Sequence, residues 1–223
     1  MRKATWTEVI PELLESLGQT AWMVGWSFLI VIVLGLVVGV VLRLSSPDGL
    51  RPNILIYQVV GVIVNLARSL PFLILMIALL GFTRWIVGTA YGPTAAIVPL
   101  AVGAIPFYAR VVESALREVS PGKIEAAQVM GANTWQIVQK VLLPESLPGL
   151  ISGATLTLVT LIGYSTMAGA IGGGGVGDFA IRYGYQRFNG EVLLMAVVVL
   201  IVVVQLVQSI GDLIVQRMAY RRG

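Results

Sequence analysis

The sequence predicts an all-α integral membrane protein of five transmembrane helices, with a cytoplasmic helix-turn-helix loop between the third and the fourth. Three observations carry this. Of 223 residues, 57% are hydrophobic and only 12% charged, with a mean hydropathy of +0.89, whereas ordinary soluble domains are about 25% charged. Five apolar stretches approach or exceed the ~20 residues a helix needs to cross a bilayer. The long polar stretch from Glu113 to Gly149 interrupts them once and carries helix-start and helix-stop residues of its own.

Residues 1–20 precede the first span. Glu8, Glu12 and Glu15 come before any long apolar run, which predicts a retained amphipathic lead-in on the outer side, not a cleaved signal. A single membrane domain then covers 21–215. Its first span, 21–42, has no charge and ends in the turn-rich 43–53. The second, about 54–80, is interrupted by Arg68 and Pro71. A short loop with Arg84, Gly88 and Gly92-Pro93 leads to the third, about 94–112. Its prolines at 99 and 106 are tolerated in a membrane where neighbours satisfy the freed carbonyls. The fourth span is about 150–171. A glycine-rich loop follows, then the fifth span at 192–215 and a cytoplasmic tail at 216–223.

Five spans put the termini on opposite sides, and the distribution of basic residues chooses which. With the first loop inside, the cytoplasm holds Arg43, Arg51, Arg110, Arg117, Lys123, Lys140, Arg217, Arg221 and Arg222. The outside holds Arg2, Lys3, Arg84, Arg182 and Arg187; with Arg68 in a span, these nine, five and one make the 15 basic residues. The N-terminus is therefore expected outside and the C-terminus in the cytoplasm.

Missing residues exclude chemistries. Without Cys there are no disulfides or thiolate metal sites, and without His no Ser-His-Asp triad or HExxH zinc site. No Walker A pattern occurs, so the chain is not expected to hydrolyse ATP, and no basic run points to nucleic acid. Gly172, Gly174 and Gly177 spell GxGxxG, but at the outer end of a membrane helix they lack the strand a dinucleotide fold requires. Gly175 to Asp178 spells the GxGD of intramembrane aspartyl proteases. That chemistry needs two carboxylates sharing one site, and the topology separates Asp178 from Asp212 by about a membrane thickness.

Gly35 and Gly39 make a GxxxG, read as close packing within the chain. The fourth span carries Ser152, Thr155, Thr157, Thr160, Tyr164, Ser165 and Thr166, enough polarity to suggest a solvated face. In the polar interruption, Ser120-Pro121 reads as a helix start. Gly131 reads as a left-handed stop. Thr134 reads as the cap of a second helix, with Trp135, Val138, Val141 and Leu142 on one face. Ile124 and Ala127 share a face of the first.

That loop, about 120–144, resembles one found in permeases of ABC importers. The family pattern is EAA, three residues, Gly, nine residues, a branched aliphatic, one residue, then Leu-Pro. Glu125-Ala126-Ala127, Gly131, Val141 and Leu143-Pro144 match every spacing. The segments RSLPFLILMIALLGFTRWIVGT, GPTAAIVPLAVGAIPFYARVVESAL and GYSTMAGAIGGGGVGDFAIRYGYQRFN are further similar to the permeases of methionine ABC importers, over most of the chain from about Val59. The resemblance implies a multi-pass permease of the inner membrane, working by alternating access as a homodimer. Its partners would be two cytoplasmic ATPase subunits that hold ATP and Mg, with no cofactor on this chain, and a substrate-binding lipoprotein outside. It implies that Glu125 contacts the ATPase, that Ala126 and Ala127 permit close approach, that Gly131 sets the turn and that Leu143-Pro144 leads back to the membrane. Import of methionine, as both D and L forms, is what the family does. A permease for another small amino acid, or a stand-alone channel or secondary carrier, is the competing reading; a secondary carrier has no use for the coupling loop.

Candidate pathway or gate residues are Asn65, Arg68, Ser69, Tyr164, Ser165 and Met167, soft or polar groups suited to a largely apolar zwitterion. Arg68, a charge inside a span, is expected to attract a substrate carboxylate, brace carbonyls freed by Pro71, or pair with Glu113.

Overall fold

The computed structural model describes residues 6–220, and every regular element among them is helical. The elements are α1 (Trp6–Ser45), α2 (Ile54–Ser69), α3 (Phe72–Ala78), α4 (Leu80–Val87), α5 (Pro93–Arg117), α6 (Pro121–Val129), α7 (Thr134–Ile137), α8 (Leu143–Ala170), α9 (Gly175–Phe179) and α10 (Gly190–Tyr220). Arg2, Lys3, Arg221 and Arg222, used above to orient the chain, lie outside the described residues. Four helices are long and apolar enough to cross a bilayer, and α2 with α3, counted as one bent span, makes a fifth.

Three boundaries differ from the sequence reading. α1 is 40 residues long, about 60 Å at 1.5 Å per residue, so the described part of the lead-in continues the first span without a break. The second span is not one rod. Leu70 is extended, as the residue before a proline prefers, and α3 leaves α2 at 104°. Residues expected as loop form α4, which stops at Gly88 in the left-handed conformation.

The core forms around α5. Ala96, Leu100, Ala104, Tyr108, Val112 and Leu116 recur every fourth residue and are all buried, a ridge that packs into neighbouring grooves. In lipid, apolar side chains gain little by meeting each other instead of acyl chains, so close backbone approach supplies the attraction. Gly35 and Gly39 provide it for α1. A Cβ at Gly35 would come within 2.9 Å of the Tyr108 ring, and one at Gly39 within 2.5 Å of Val112 Cβ and 2.6 Å of the Ala109 carbonyl oxygen. Gly153 of α8 meets Val111 in the same manner, and Gly211 of α10 meets Thr155. Buried Thr157 donates to the Gly153 carbonyl at 2.7 Å, satisfying its hydroxyl inside its own helix.

The glycine-rich loop before α9 is held by α1. Gln19 Oε1 accepts from the Gly175 amide at 2.8 Å, and Thr20 Oγ1 accepts from the Val176 amide at 2.9 Å. Side chains of one helix thus satisfy the free amides at the start of another. Val9, Leu13, Val176, Phe179, Val192 and Ala196 pack as a small second core beside this junction. No strand precedes the GxGxxG glycines among the described residues, and Asp178 accepts from Arg182 Nε at 2.8 Å, while Asp212 lies far along α10.

Gly39→Val is expected to destabilise the protein by about 2 kcal/mol through overpacking. Gly25→Ala, where an added Cβ meets nothing within 4 Å, should not. Thermal unfolding of the detergent-solubilised protein checks both; equal midpoints would refute the packing account.

Candidate functional site

Two regions carry the sequence-predicted residues: the polar loop between α5 and α8, and the bend between α2 and α3.

In the loop, α6 ends in a complete Schellman motif. The Ala132 amide donates to the Ala127 carbonyl at 3.0 Å and the Gly131 amide to the Gln128 carbonyl at 2.9 Å, with Gly131 left-handed at φ +81°. This is the geometry that favours glycine. The next helix is capped by Asn133, not by Thr134. Asn133 Oδ1 accepts from the Gln136 amide at 3.0 Å, and Gln136 Oε1 accepts from the Asn133 amide at 2.9 Å, a reciprocal capping box. Thr134 instead accepts from Arg51 Nε at 3.2 Å, tying the loop to the α1–α2 connection. Ser120 makes no side-chain cap, so Pro121 alone marks the start of α6.

From Thr134 the helix does not end before the membrane. α7 passes through a π-helical turn, Val138–Leu142, directly into α8. Pro144 has no N–H to give the Lys140 carbonyl, and the Leu143 amide reaches back to Val138. The wider turn absorbs that missing bond. Leu143-Pro144 is thus a register change inside one continuous rod, 37 residues long from Thr134 to Ala170.

Exposure divides the loop into two faces. Ile124 and Ala127 are buried with Val119, Ile137, Val138 and Leu142. Ala127 therefore packs inward, a correction to its expected place on the partner-facing side. Glu125, Ala126 and Gly131 face out. Beside them Val129 is 89% and Met130 81% exposed, and Trp135, expected on the inner face, is largely exposed as well. Regular helical spacing groups Trp135 with Val138, Val141 and Leu142, and the π turn from Val138 to Leu142 breaks that spacing. Lys123 Nζ bridges Glu145 at 2.7 Å, bracing α6 against the foot of α8. On the other flank, Asp48 is held below the usual carboxylate range chiefly by the Ser46 hydroxyl, which donates to it at 2.9 Å. Partial burial opposes that shift, and Arg43 and Arg117 add to it.

The second region begins with a charge cluster at the end of α5. Glu113, 4% exposed, accepts from Arg110 Nη1 at 2.6 Å, Arg117 Nη2 at 2.9 Å and the Tyr57 hydroxyl at 3.2 Å. Arg110 Nη2 continues to the Gly61 carbonyl at 3.2 Å and to Asn65 Oδ1 at 3.0 Å. The cluster straps α2 to α5. The expected pairing of Arg68 with Glu113 is absent; Arg110 and Arg117, one turn either side on the same helix, pair with that carboxylate instead. Arg68 also braces no carbonyl: it makes no hydrogen bond or ion pair with a described residue. It lines a cavity of about 150 Å³ with Ala67, Leu70, Phe72, Phe107 and Tyr164. Phe72 and Tyr164 stack there with centroids 4.1 Å apart and planes 3° from parallel.

The structure therefore brings Arg68 and Tyr164 together. Asn65 stands one turn back on α2, and Ser69 donates to the Asn65 carbonyl at 2.9 Å. Ser165 is buried and donates to Ile162 at 2.7 Å, away from any opening. Met167 lies on the outward stripe of α8 with Ser152, Leu156 and Gly163. Among the described residues no group of acidic residues is placed to hold a metal.

Comparison with known proteins accords with this architecture. Residues 31–220 match the family described as binding-protein-dependent transport system inner membrane component. The chain belongs to this family. It is a membrane-embedded permease component, and its helices make it a multi-pass protein of the inner membrane. A relative from Vibrio cholerae, named a probable D-methionine transport system permease protein MetI, is 51% identical over 209 residues, 94% of this chain and 93% of its own. The methionine import system permease protein MetP of Bacillus subtilis is 53% identical over 173 residues, 78% of each chain. A solved structure of the MetNI methionine ABC transporter in an inward-facing conformation superposes with a TM-score of 0.94 at 46% identity, covering 96% of this chain and 99% of that one.

Two outcomes follow from the geometry. Gly131→Val should leave the spans inserted but abolish coupled transport, since a β-branched residue resists φ +81°, whereas Gly131→Asn should retain much of it; equal transport by both variants would remove Gly131 from the coupling element. Glu113→Ala removes the acceptor shared by Arg110, Arg117 and Tyr57 and is expected to cost about 1–2 kcal/mol, read as a lowered unfolding midpoint; an unchanged midpoint contradicts the strap.

Proposed function

We infer that this chain is the permease subunit of an ATP-driven importer of methionine, in D and L forms. The observation that carries the reading is the outward knuckle of the α5–α8 loop. An exposed Glu125-Ala126 pair, Val129, Met130 and Trp135 surround a glycine turn on a rod that runs unbroken to the aromatic cavity. Exposed apolar groups of this kind, outside the membrane spans, belong against a protein partner. A cytoplasmic ATPase pair holding ATP and Mg is the partner that such a loop would serve. The substrate assignment rests on the relatives, whose names give methionine transport at about half identity over most of the chain.

In this mechanism two copies face each other and a lipoprotein delivers substrate from outside. Closure of the ATPases moves the knuckle, and α8 carries that movement as a lever. A rigid helix transmits displacement along its axis because its backbone bonds are short and cooperative, and the π turn offers one place for it to flex. Asn65, Arg68, Ser69, Tyr164, Ser165 and Met167 are proposed pathway or gate residues, with the N-terminus outside and the C-terminus in the cytoplasm. A permease for another small amino acid differs only in the pathway, so competition decides between them.

Purified permease and ATPase in proteoliposomes, loaded with ATP and the binding protein, should accumulate labelled methionine. Unlabelled D- and L-methionine should compete and charged amino acids should not. Uptake should vanish without the ATPase subunit and ignore dissipation of ion gradients. Uptake that persists without the ATPase and follows a gradient would overturn the reading.

A further inference from the structure

The cavity at the α2–α3 bend is lined by a cation, Arg68, which is exposed in the single chain. A guanidinium at membrane depth is stable only where it meets water, a partner or a ligand. The other arginines near it are spent: Arg110 and Arg117 on Glu113. Arg68 has no partner among the described residues and opens onto the cavity. Beside it the chain supplies the opposite polarity. Pro71 has no N–H to give the Ala67 carbonyl, and the 104° turn takes α3 out of the hydrogen-bond ladder of α2. The last turn of α2 therefore ends in carbonyl oxygens at the negative end of a helix dipole, and Ala67, Arg68 and Leu70 line the cavity. The remaining wall is Phe72, Leu75, Phe107 and Tyr164. Gly103 keeps it open, since a Cβ there would approach the Phe72 ring to 3.2 Å.

We propose that this cavity is a transient binding site for a zwitterionic amino acid with a soft apolar side chain. Arg68 receives the carboxylate, the carbonyl end of α2 receives the ammonium, and the ring edges of Phe72, Phe107 and Tyr164 receive the side chain. The proposal rests on the methionine-importer reading and deepens it. A carboxylate on a guanidinium forms two parallel charge-assisted bonds. A thioether sulfur is attracted to ring edges, which a stacked pair leaves available. The site spans two moving parts: Arg68 and Phe72 flank the bend, while Tyr164 rides on α8, the rod that begins at the coupling loop. Displacement of α8 would separate Tyr164 from Phe72, so the same movement that drives transport would release the side chain.

The test uses the permease–ATPase complex in proteoliposomes with the diazirine analogue of methionine, irradiated and mapped by mass spectrometry. Labels are expected on cavity residues, chiefly Phe72, Phe107 and Tyr164, and should be removed by excess methionine. Arg68→Gln should reduce this labelling at least tenfold, and Arg68→Lys should keep a substantial part of it. Gly103→Ala, which leaves the charge but crowds the rings, should reduce it severalfold. Competed labels confined to other helices, or wild-type labelling in Arg68→Gln, overturn the site. Should Arg68→Gln not assemble, the Lys and Gly103 variants decide: loss in Lys as complete as without probe, or no effect of Ala, overturns it too. Uptake of labelled methionine by the wild-type complex separates the two levels. Transport with an unlabelled cavity removes only this site, whereas no transport removes the importer reading with it.

Discussion

The buried carboxylate of Glu113 fixes the relation between the helices that matter most. A carboxylate that is 4% exposed would be prohibitively unstable alone. Here two guanidinium groups and a phenol close on it, and one of those guanidiniums reaches on to Gly61 and Asn65 of α2. The carboxylate is the one deeply buried charge of the group, so it is the member that depends on its partners, whereas Arg117 is half exposed. α2 is otherwise poorly anchored: much of its surface is apolar and exposed in the single chain. The strap therefore decides where α2 ends, and so where the bend, Arg68 and the aromatic wall lie. Arg68 takes no part in the strap.

A second constraint is mechanical. α7, the π turn and α8 together reach from the capped turn at Asn133 to the ring of Tyr164 without a loop. A flexible linker at Leu143-Pro144 would dissipate a push. A π turn instead accommodates the proline while keeping the helix continuous, because the Leu143 amide finds the Val138 carbonyl. The foot of this rod is held from two sides, by Lys123 on Glu145 and by Arg51 on Thr134. Both contacts are exposed ion pairs or hydrogen bonds of the kind worth little each. They bias the position of the loop without freezing it, which suits a part that has to move.

What was legible in the sequence was what is local. Gly131 stops a helix because of its own backbone freedom, and the spacing from Glu125 to Pro144 survives whatever surrounds it. The spans were legible because apolar length is a property of the chain alone. The cap was misread by one residue because Asn133 and Thr134 can both cap, and Arg51, far away in sequence, claims the threonine. Pro71 announced an interruption but not its angle. The direction of α3 depends on Phe72 finding Tyr164 and the open face of Gly103, contacts across 92 and 31 residues. Trp135 left the face expected for it with Val138, Val141 and Leu142 for a related reason. Helical periodicity assumes one residue spacing throughout, and the π turn breaks it.

The same logic explains where polarity appears in this chain. Most polar side chains within the spans are silent: Thr155, Thr157, Thr160, Ser165 and Thr166 donate to carbonyls of their own helix three or four residues back. Their number on the fourth span suggested a solvated face, yet bonding of this kind lets a hydroxyl lie against lipid or core without water. A hydroxyl is satisfied by one carbonyl of the helix that carries it; a guanidinium, with five donors on a longer stem, needs acceptors from elsewhere, as Arg110 finds in Glu113, Gly61 and Asn65. At a broken end a helix leaves its last carbonyls without amide partners, and there the negative dipole favours a cation. Arg68 occupies such an end, yet still makes no bond with a described residue. Its position is electrostatically supported while its donors remain free. That combination is what the proposed site asks of Arg68, and among the charges of the α2–α5 neighbourhood Glu113, Arg110 and Arg117 show the opposite pattern.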